Sequence, residues 1–446
     1  MDTSAATRSA VRSVPAPPAP TVMAWVGLGI LLVLAFVAFL DRQVISLMVG
    51  MIKADLLITD SDIGILQGAA FGLVYPLFGI PLGYAADRYS RRWVIFWGIV
   101  LWSLAAMGSG LAGTFSTLLA ARIGVGIGEA ALGPAAVSLL GDIFPRHRLA
   151  TVMSIYASGS LLGAAGALVI GGAVIHWASG GLAFPVVGHL AAWQVAFVVT
   201  GFPALAVALF VFLIPEPKRA AAIKGAKPTV AWSDVFQFVR RNWHFLACYT
   251  LGYACLLITT WGSLAWLPAI LERQYGWSVL EVGASLGLFT VLTGLPGQLS
   301  NGVIVDRMFA RGRSDAHLRY YAFASVLAAI CGVIAPFAAT AVLYLAITAP
   351  LKFVMNYGGV QQATLQIVTP APLRGRVFAL VTVASAVLGS TFGPSIVAFF
   401  TDVVFHDDAK VGYSLALTNG IFMPLAAVLF WLGMKPMREA VARNAT

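Results

Sequence analysis

Five ionisable residues stand inside otherwise apolar stretches of this 446-residue chain: Asp41, Arg42, Arg122, Glu129 and Lys352. A charge at the centre of a bilayer costs on the order of 3 kcal/mol on insertion scales, so such groups face a protein interior or a watery cavity. Arg122 and Glu129 are seven residues apart, two helical turns, which puts them on one helix face about 10 Å from each other. Asp41 and Arg42 are neighbours, and their side chains diverge by roughly 100°. Asp41 is therefore a candidate proton acceptor. Burial favours the neutral carboxyl and an approaching guanidinium favours the charged one, so movement of Arg42 or Arg122 would switch its proton affinity. Glu129 is a second candidate, as a substrate or gating partner. Arg122 keeps its charge and can act only electrostatically. The competing reading of all four is a static ion-pair network that ties two helices together.

Lys352 is the lone embedded charge of the second half. On a continuous helix it shares a face with Asn356 and Gly359, and Tyr357, Gln361 and Gln362 follow. These residues could hold an anionic headgroup, unless Lys352 snorkels to an interface or only packs. Thr259, Thr260, Trp261 and Trp266 suit the lining of an amphipathic cavity.

A charged signature occurs twice, as GYAADRYSRR at 83–92 and GVIVDRMFARGR at 302–313. Gly83 and Gly302, Asp87 and Asp306, and Arg88 and Arg307 are each 219 residues apart. The same offset carries Asp62 onto Glu281, Gly64 onto Gly283 and Gly68 onto Gly287. A repeat at half the chain length predicts two copies of one bundle. Asp87, Arg88, Arg91 and Arg92, with Asp306 and Arg307, read as a charge lock between the halves that closes a cytoplasmic gate, and Arg374 and Arg376 fall in the same layer. The alternative is a charge cluster that only sets topology.

These residues need membrane helices to position them. The chain is 59% hydrophobic and 10% charged, against about 25% charged in an ordinary soluble domain. Twelve apolar runs of helix-spanning length recur, the first at about 24–50 and the last at about 410–434. The expected fold is all-α, with twelve transmembrane helices in two six-helix bundles. The expected organisation is a disordered cytoplasmic tail at 1–23, an N-terminal bundle at 24–214, a cytoplasmic linker at 215–243, a C-terminal bundle at 244–434 and a cytoplasmic tail at 435–446. The linker reads first as a plain connector, with a short interfacial amphipathic helix at Trp232 to Trp243 as the alternative. The tail at 1–23 is not a signal peptide, since the apolar stretch after it is too long.

The net charge of +10 is distributed by topology. Of the 28 Lys and Arg residues, 22 fall in the tails and even-numbered loops and three, Lys53, Arg273 and Lys410, in the odd-numbered loops. That pattern places both termini in the cytoplasm and assigns the basic excess to anionic lipid rather than to nucleic acid. No G-x-x-x-x-G-K-[ST] loop exists to hold ATP. GASLG at 283–287 matches a nucleophile elbow in letters but lacks the strand before it. Cys248, Cys255 and Cys331 read as packing residues, the histidines have no ligand spacing, and neither metal nor cofactor is expected. With no catalytic constellation in view, the chain does not read as an enzyme.

The signature at 83–92 resembles the loop 2–3 motif of the major facilitator superfamily, with Ser90 where that motif usually has Gly, and 302–313 resembles its weaker relative in loop 8–9. LDR at 40–42, ADRYSRR at 86–92, LWSL at 101–104, RIGVGIGEA at 122–130 and MSIY at 153–156 together resemble the spinster family. That resemblance implies a monomeric transporter in a bacterial inner membrane that moves a sphingolipid or lysophospholipid by alternating access, coupled to protons. It points to Asp41 and Glu129 as the coupling carboxylates. A small organic anion or drug remains the alternative cargo. Helix 5 lacks the Gly-Pro pair typical of drug–proton antiporters, which lowers the drug reading.

Overall fold

The computed structural model describes residues 21–145, 148–184, 188–217, 231–370 and 372–445. Most of the expected tail at 1–23 lies outside them, as do Lys218, Arg219, Lys224 and Lys227 of the linker. Among the described residues, twelve helical spans are long and apolar enough to cross a membrane. They are α1 Val22–Leu47, α2 Asp60–Arg88, α3 Arg91–Ser109, α4 Phe115–Ile143, α5 Thr151–Trp177, α6 Ala192–Leu213, α7 Trp243–Tyr275, α8 Val279–Ala310, α9 Ala316–Phe337, α10 Ala341–Val368, α11 Arg374–Phe405 and α12 Asp408–Arg443. A short helix, Trp232–Arg241, precedes α7 and has Val235 buried. A two-stranded hairpin, β1 Leu182–Phe184 and β2 Gly188–Leu190, joins α5 to α6.

Two expected boundaries move. The first helix tightens into a 3₁₀ turn at Val44–Leu47 rather than running to residue 50. Of the expected tail at 435–446, residues 435–443 are instead the last turns of α12. Met434, Met437 and Ala440 continue the buried stripe of that helix, so packing extends it past the apolar run.

Within the first half, α1 packs on α5, and α3 on α4 and α6; within the second, α7 packs on α11 and α12, and α9 on α12. The halves meet where α2 crosses α11 and α5 crosses α8. The 219-residue repeat explains those crossings. Thr59 with Asp62 and Ser278 with Glu281 form equivalent capping boxes that start α2 and α8. A few residues on come the repeated glycines. A methyl group at Gly68 would sit 2.5 Å from the Thr391 carbonyl oxygen of α11. On the other side of the molecule, one at Gly172 of α5 would meet the Val279 carbonyl at 3.1 Å and the Gly283 Cα at 3.4 Å. Only glycine permits backbones this close.

Candidate functional site

The embedded charges of the first half converge where α1 ends its regular α-turns. The last four carbonyls of an α-helix lack partners within it. Arg122 of α4 uses two of them: its Nη1 donates to the Asp41 carbonyl at 3.2 Å and its Nη2 to the Arg42 carbonyl at 3.3 Å. Arg42 turns the other way, and its Nη2 donates to Glu129 Oε2 at 2.5 Å. The two arginines are separated by Phe71 of α2. Its ring centroid lies 4.9 Å from the Arg42 guanidinium carbon and 4.6 Å from that of Arg122.

Asp41 is 1% exposed and both its carboxylate oxygens lack a hydrogen-bond partner. The Thr200 hydroxyl and the Trp102 indole face it. The indole nitrogen is itself unpartnered, and the hydroxyl bonds the Ala196 carbonyl. Adjacent positions in sequence thus serve opposite neighbourhoods. Arg42 and Glu129 border a cavity of about 200 Å³, whose wall includes Phe39, Tyr75, Tyr156 and Ser160. Asp41 points away from it into the bundle. Phe71, Tyr75, Trp102 and Thr200 were not anticipated, since an aromatic or Thr in an apolar helix gives no sequence signal of what it touches.

The second-half candidates do not join this site. Lys352 and Asn356 do not share a continuous helix, because α10 breaks between Val354 and Gly358. The carbonyls exposed by the break are collected by Asn301 of α8, whose Nδ2 reaches the Phe353, Val354 and Asn356 oxygens at 3.1, 3.4 and 3.2 Å. Asn356 donates its own amide to the Lys352 carbonyl at 3.0 Å. Tyr357 packs on Tyr253 and Tyr321. Lys352 borders a small gap whose lining includes Thr348, Ser263 and Asn419. Thr260 donates to the Leu256 carbonyl at 2.7 Å, and Trp261 stands over Gly393 of α11. Trp266 is core, its indole donating to the Pro394 carbonyl at 2.9 Å.

At the end that carries the two Asp-Arg loops, Arg91 and Arg92 do not form the expected lock between halves. Arg91 pairs with Asp142 of α4 at 2.5 Å, and both arginines engage Glu216, just past α6. Glu216 also accepts from the Ser90 hydroxyl at 2.5 Å and the Arg91 amide at 2.6 Å. It sits over the amino terminus of α3, where a negative charge is favoured, so the arginines are held within their own half. Partial burial pushes the Glu216 carboxyl up, but Ser90, Arg91 and Arg92 outweigh it and hold it below the ordinary range. Asp87, Arg88, Asp306 and Arg307 are exposed. Gly83 faces Pro134 of α4, and Arg88 donates to the Tyr84 hydroxyl at 3.3 Å. Arg374 donates to the Thr369 carbonyl at 3.0 Å, and Arg376 stacks on Trp232.

Ion pairs between halves occur at the opposite end. Asp60, at the start of α2, is fully buried and takes a bidentate pair from Arg273 of α7, at 2.6 and 2.8 Å. Lys53 lies 2.7 Å from Asp60 and 2.5 Å from Asp408 of α12. Asp402 of α11 accepts from both the amide and the hydroxyl of Ser61 at 2.6 Å. The Asp60, Asp402 and Asp408 carboxylates lie within 4.8 Å of one another, an acidic grouping the sequence reading lacked, with Lys53 and Arg273 supplying the opposing charge. The signal available in sequence was scarcity: these are two of only three basic residues in the odd-numbered loops.

The model of the Major Facilitator Superfamily matches residues 31–394. The chain belongs to that superfamily. It is a multi-pass membrane protein of a family of transporters rather than enzymes. An MFS-type efflux pump of Mycolicibacterium smegmatis is 26% identical over 429 residues, 95% of each chain. Protein spinster homolog 3 of Danio rerio is 27% identical over 257 residues, 56% of this chain and 48% of that protein. The crystal structure of a bacterial homolog to the human lysosomal transporter spinster, inward-facing and unoccupied, superposes with a TM-score of 0.81 at 21% identity, covering 94% of this chain and 98% of that one. The major facilitator fold is common to both, and the transporter is spinster-like.

Proposed function

We propose that this spinster-like transporter is a proton-coupled secondary carrier of an amphipathic lipid, such as a lysophospholipid or sphingolipid, working by alternating access. The observation that carries the coupling is Asp41: a fully buried carboxyl with no ion-pair partner, faced by the neutral Thr200 and Trp102 side chains and one residue from a cation that borders the cavity. An ionised, unpaired carboxylate is costly in such a place, and a proton removes the cost. Arg122 grips the backbone of both Asp41 and Arg42, so a change of charge at Asp41 is felt at the Arg42–Glu129 pair. The polar Arg42–Glu129 wall beside Phe39, Ala35 and Leu132 suits a molecule with a charged head and an apolar tail.

The ion pairs around Asp60 close one end of the molecule. With the basic loops taken as cytoplasmic, that end is the outer one, the cavity serves the inner face, and the termini lie in the cytoplasm. The superfamily loops would then lock only when the inner end closes.

A small organic anion or drug is the second reading, favoured by the modest cavity of about 200 Å³ and by the likeness to an efflux pump. Uptake into proteoliposomes decides between them. Labelled lysophospholipid should accumulate with an imposed pH gradient and lose that response in Asp41→Asn. Transport of small anions or dyes with no lysolipid movement would reject the lipid reading.

A further inference from the structure

The outer face of the second half carries a groove of about 690 Å³ between α9 and α12, away from the transport cavity. The two helices are antiparallel there, and the groove is graded along its length. Phe323, Val326, Val428 and Trp431 form an apolar floor, and all four are exposed. Basic residues gather at one end: Arg319 opens α9, and Lys435 and Arg438 close α12.

This cationic end is organised rather than incidental. Asp315 accepts from Arg319 Nη2 at 2.9 Å and from Arg438 Nη1 at 2.6 Å, so one carboxylate holds two guanidiniums side by side. Partial burial pushes the Asp315 carboxyl up, but the two arginines outweigh it and keep it below the ordinary range. Each guanidinium has five N–H donors, and Asp315 uses only a few of them. Lys435 is exposed beside them. Three cations against the Asp315 carboxylate leave this end basic, with Glu439 the next acidic residue along α12. Eleven residues separate Ala427 from Arg438, about 16 Å of helix and close to half of the ~30 Å hydrocarbon core. The groove is one leaflet deep.

We propose that this groove binds an anionic diacyl phospholipid from the leaflet on the basic side of the membrane, its phosphate on Arg319, Lys435 and Arg438 and one acyl chain along Phe323 and Trp431. Charge complementarity selects the occupant. A zwitterionic headgroup brings its own cation to the notch, and a protein helix would have to cover three charges that one phosphate satisfies.

The test is native mass spectrometry of the full chain in detergent, titrated with phosphatidylglycerol or phosphatidylcholine. Wild-type protein should retain phosphatidylglycerol preferentially. Lys435→Ala should reduce that retention about fivefold, and Lys435→Ala with Arg438→Ala about 25-fold, at roughly a factor of five per basic residue. Phosphatidylcholine retention should not change. Lys435→Arg should keep the preference. The single variant stands as the test if removing both cations unfolds the chain, since Lys435 has no part in the Asp315 clamp. Equal retention of the two lipids by wild type, or unchanged phosphatidylglycerol retention in Lys435→Ala, overturns the proposal. So does displacement of the lipid by millimolar glycerol phosphate, which would mark a phosphate site only. A dimer lost in the variant would assign the groove to a second copy of the chain.

Discussion

Helices α1 and α7 hold equivalent places in the repeat and are built on opposite principles. The offset that superposes the Asp-Arg loops sets Asp41 and Arg42 of α1 against Thr260 and Trp261 of α7. Around α1, two helices, α1 and α4, are joined by charges: Arg122 on the α1 carbonyls, Arg42 on Glu129, and Asp41 alone beside them. Around α7, the Tyr253 ring lies 4.8–5.7 Å from those of Tyr249, Tyr321, Tyr357 and Phe430. Thr260 satisfies its hydroxyl within its own helix. Contacts of the first kind change strength when one proton moves, because the partner's charge changes. Contacts of the second kind do not. The first half is thus suited to respond and the second to serve as the body it moves against.

The largest test of this contrast is Asp41→Asn. It should reduce pH-driven uptake to background with normal expression; coupling that survives would place the proton elsewhere. Glu129→Ala comes next. It leaves the Arg42 charge without its partner, and truncating one member of a buried pair costs about 3–5 kcal/mol, read as a lowered thermal transition in detergent. A loss below about 1 kcal/mol would show the pair to be solvated. Arg273→Ala tests the closed end by removing the bidentate partner of Asp60. Spin labels across that end should show a larger open population, and an unchanged distance distribution would mean that glycine-mediated packing alone keeps it shut. For Thr260→Val the expectation is uptake within about twofold of wild type and a stability change near 1 kcal/mol, the worth of one hydrogen bond. A collapse of transport there would erase the asymmetry.

The smallest effect belongs to Glu216. Its carboxyl is held low by Ser90, Arg91 and Arg92. A depressed folded value means that the stabilisation is present above the unfolded range near pH 4.3 and disappears as pH falls through Glu216's own lower value. Glu216→Gln should flatten that acid limb of the stability profile by a few tenths of a kcal/mol. An identical limb in both proteins would remove Glu216 from the charge layer at the start of α3.

Much of the architecture was legible without coordinates because it rests on local rules. Hydropathy marks the spans. The 219-residue offset pairs the glycines at which the halves cross. The embedded charges were legible too, since each is costly unless something offsets it. Their partners were not. That Arg122 takes backbone carbonyls while Arg42 takes Glu129 depends on where α1 changes from α to 3₁₀ geometry. The Asn301 clasp on the broken α10 and the Arg91–Glu216 contact over the start of α3 likewise depend on backbone ends that only folding exposes. The residues around Asp60 come from α2, α7, α11, α12 and the loop after α1. They are scattered from Lys53 to Asp408, and no spacing rule links them. Composition and periodicity determined that this chain is a two-part membrane bundle with charges it must use. Packing decided which charges meet, because ion pairing needs distances of a few ångströms between helices that sequence separates by hundreds of residues.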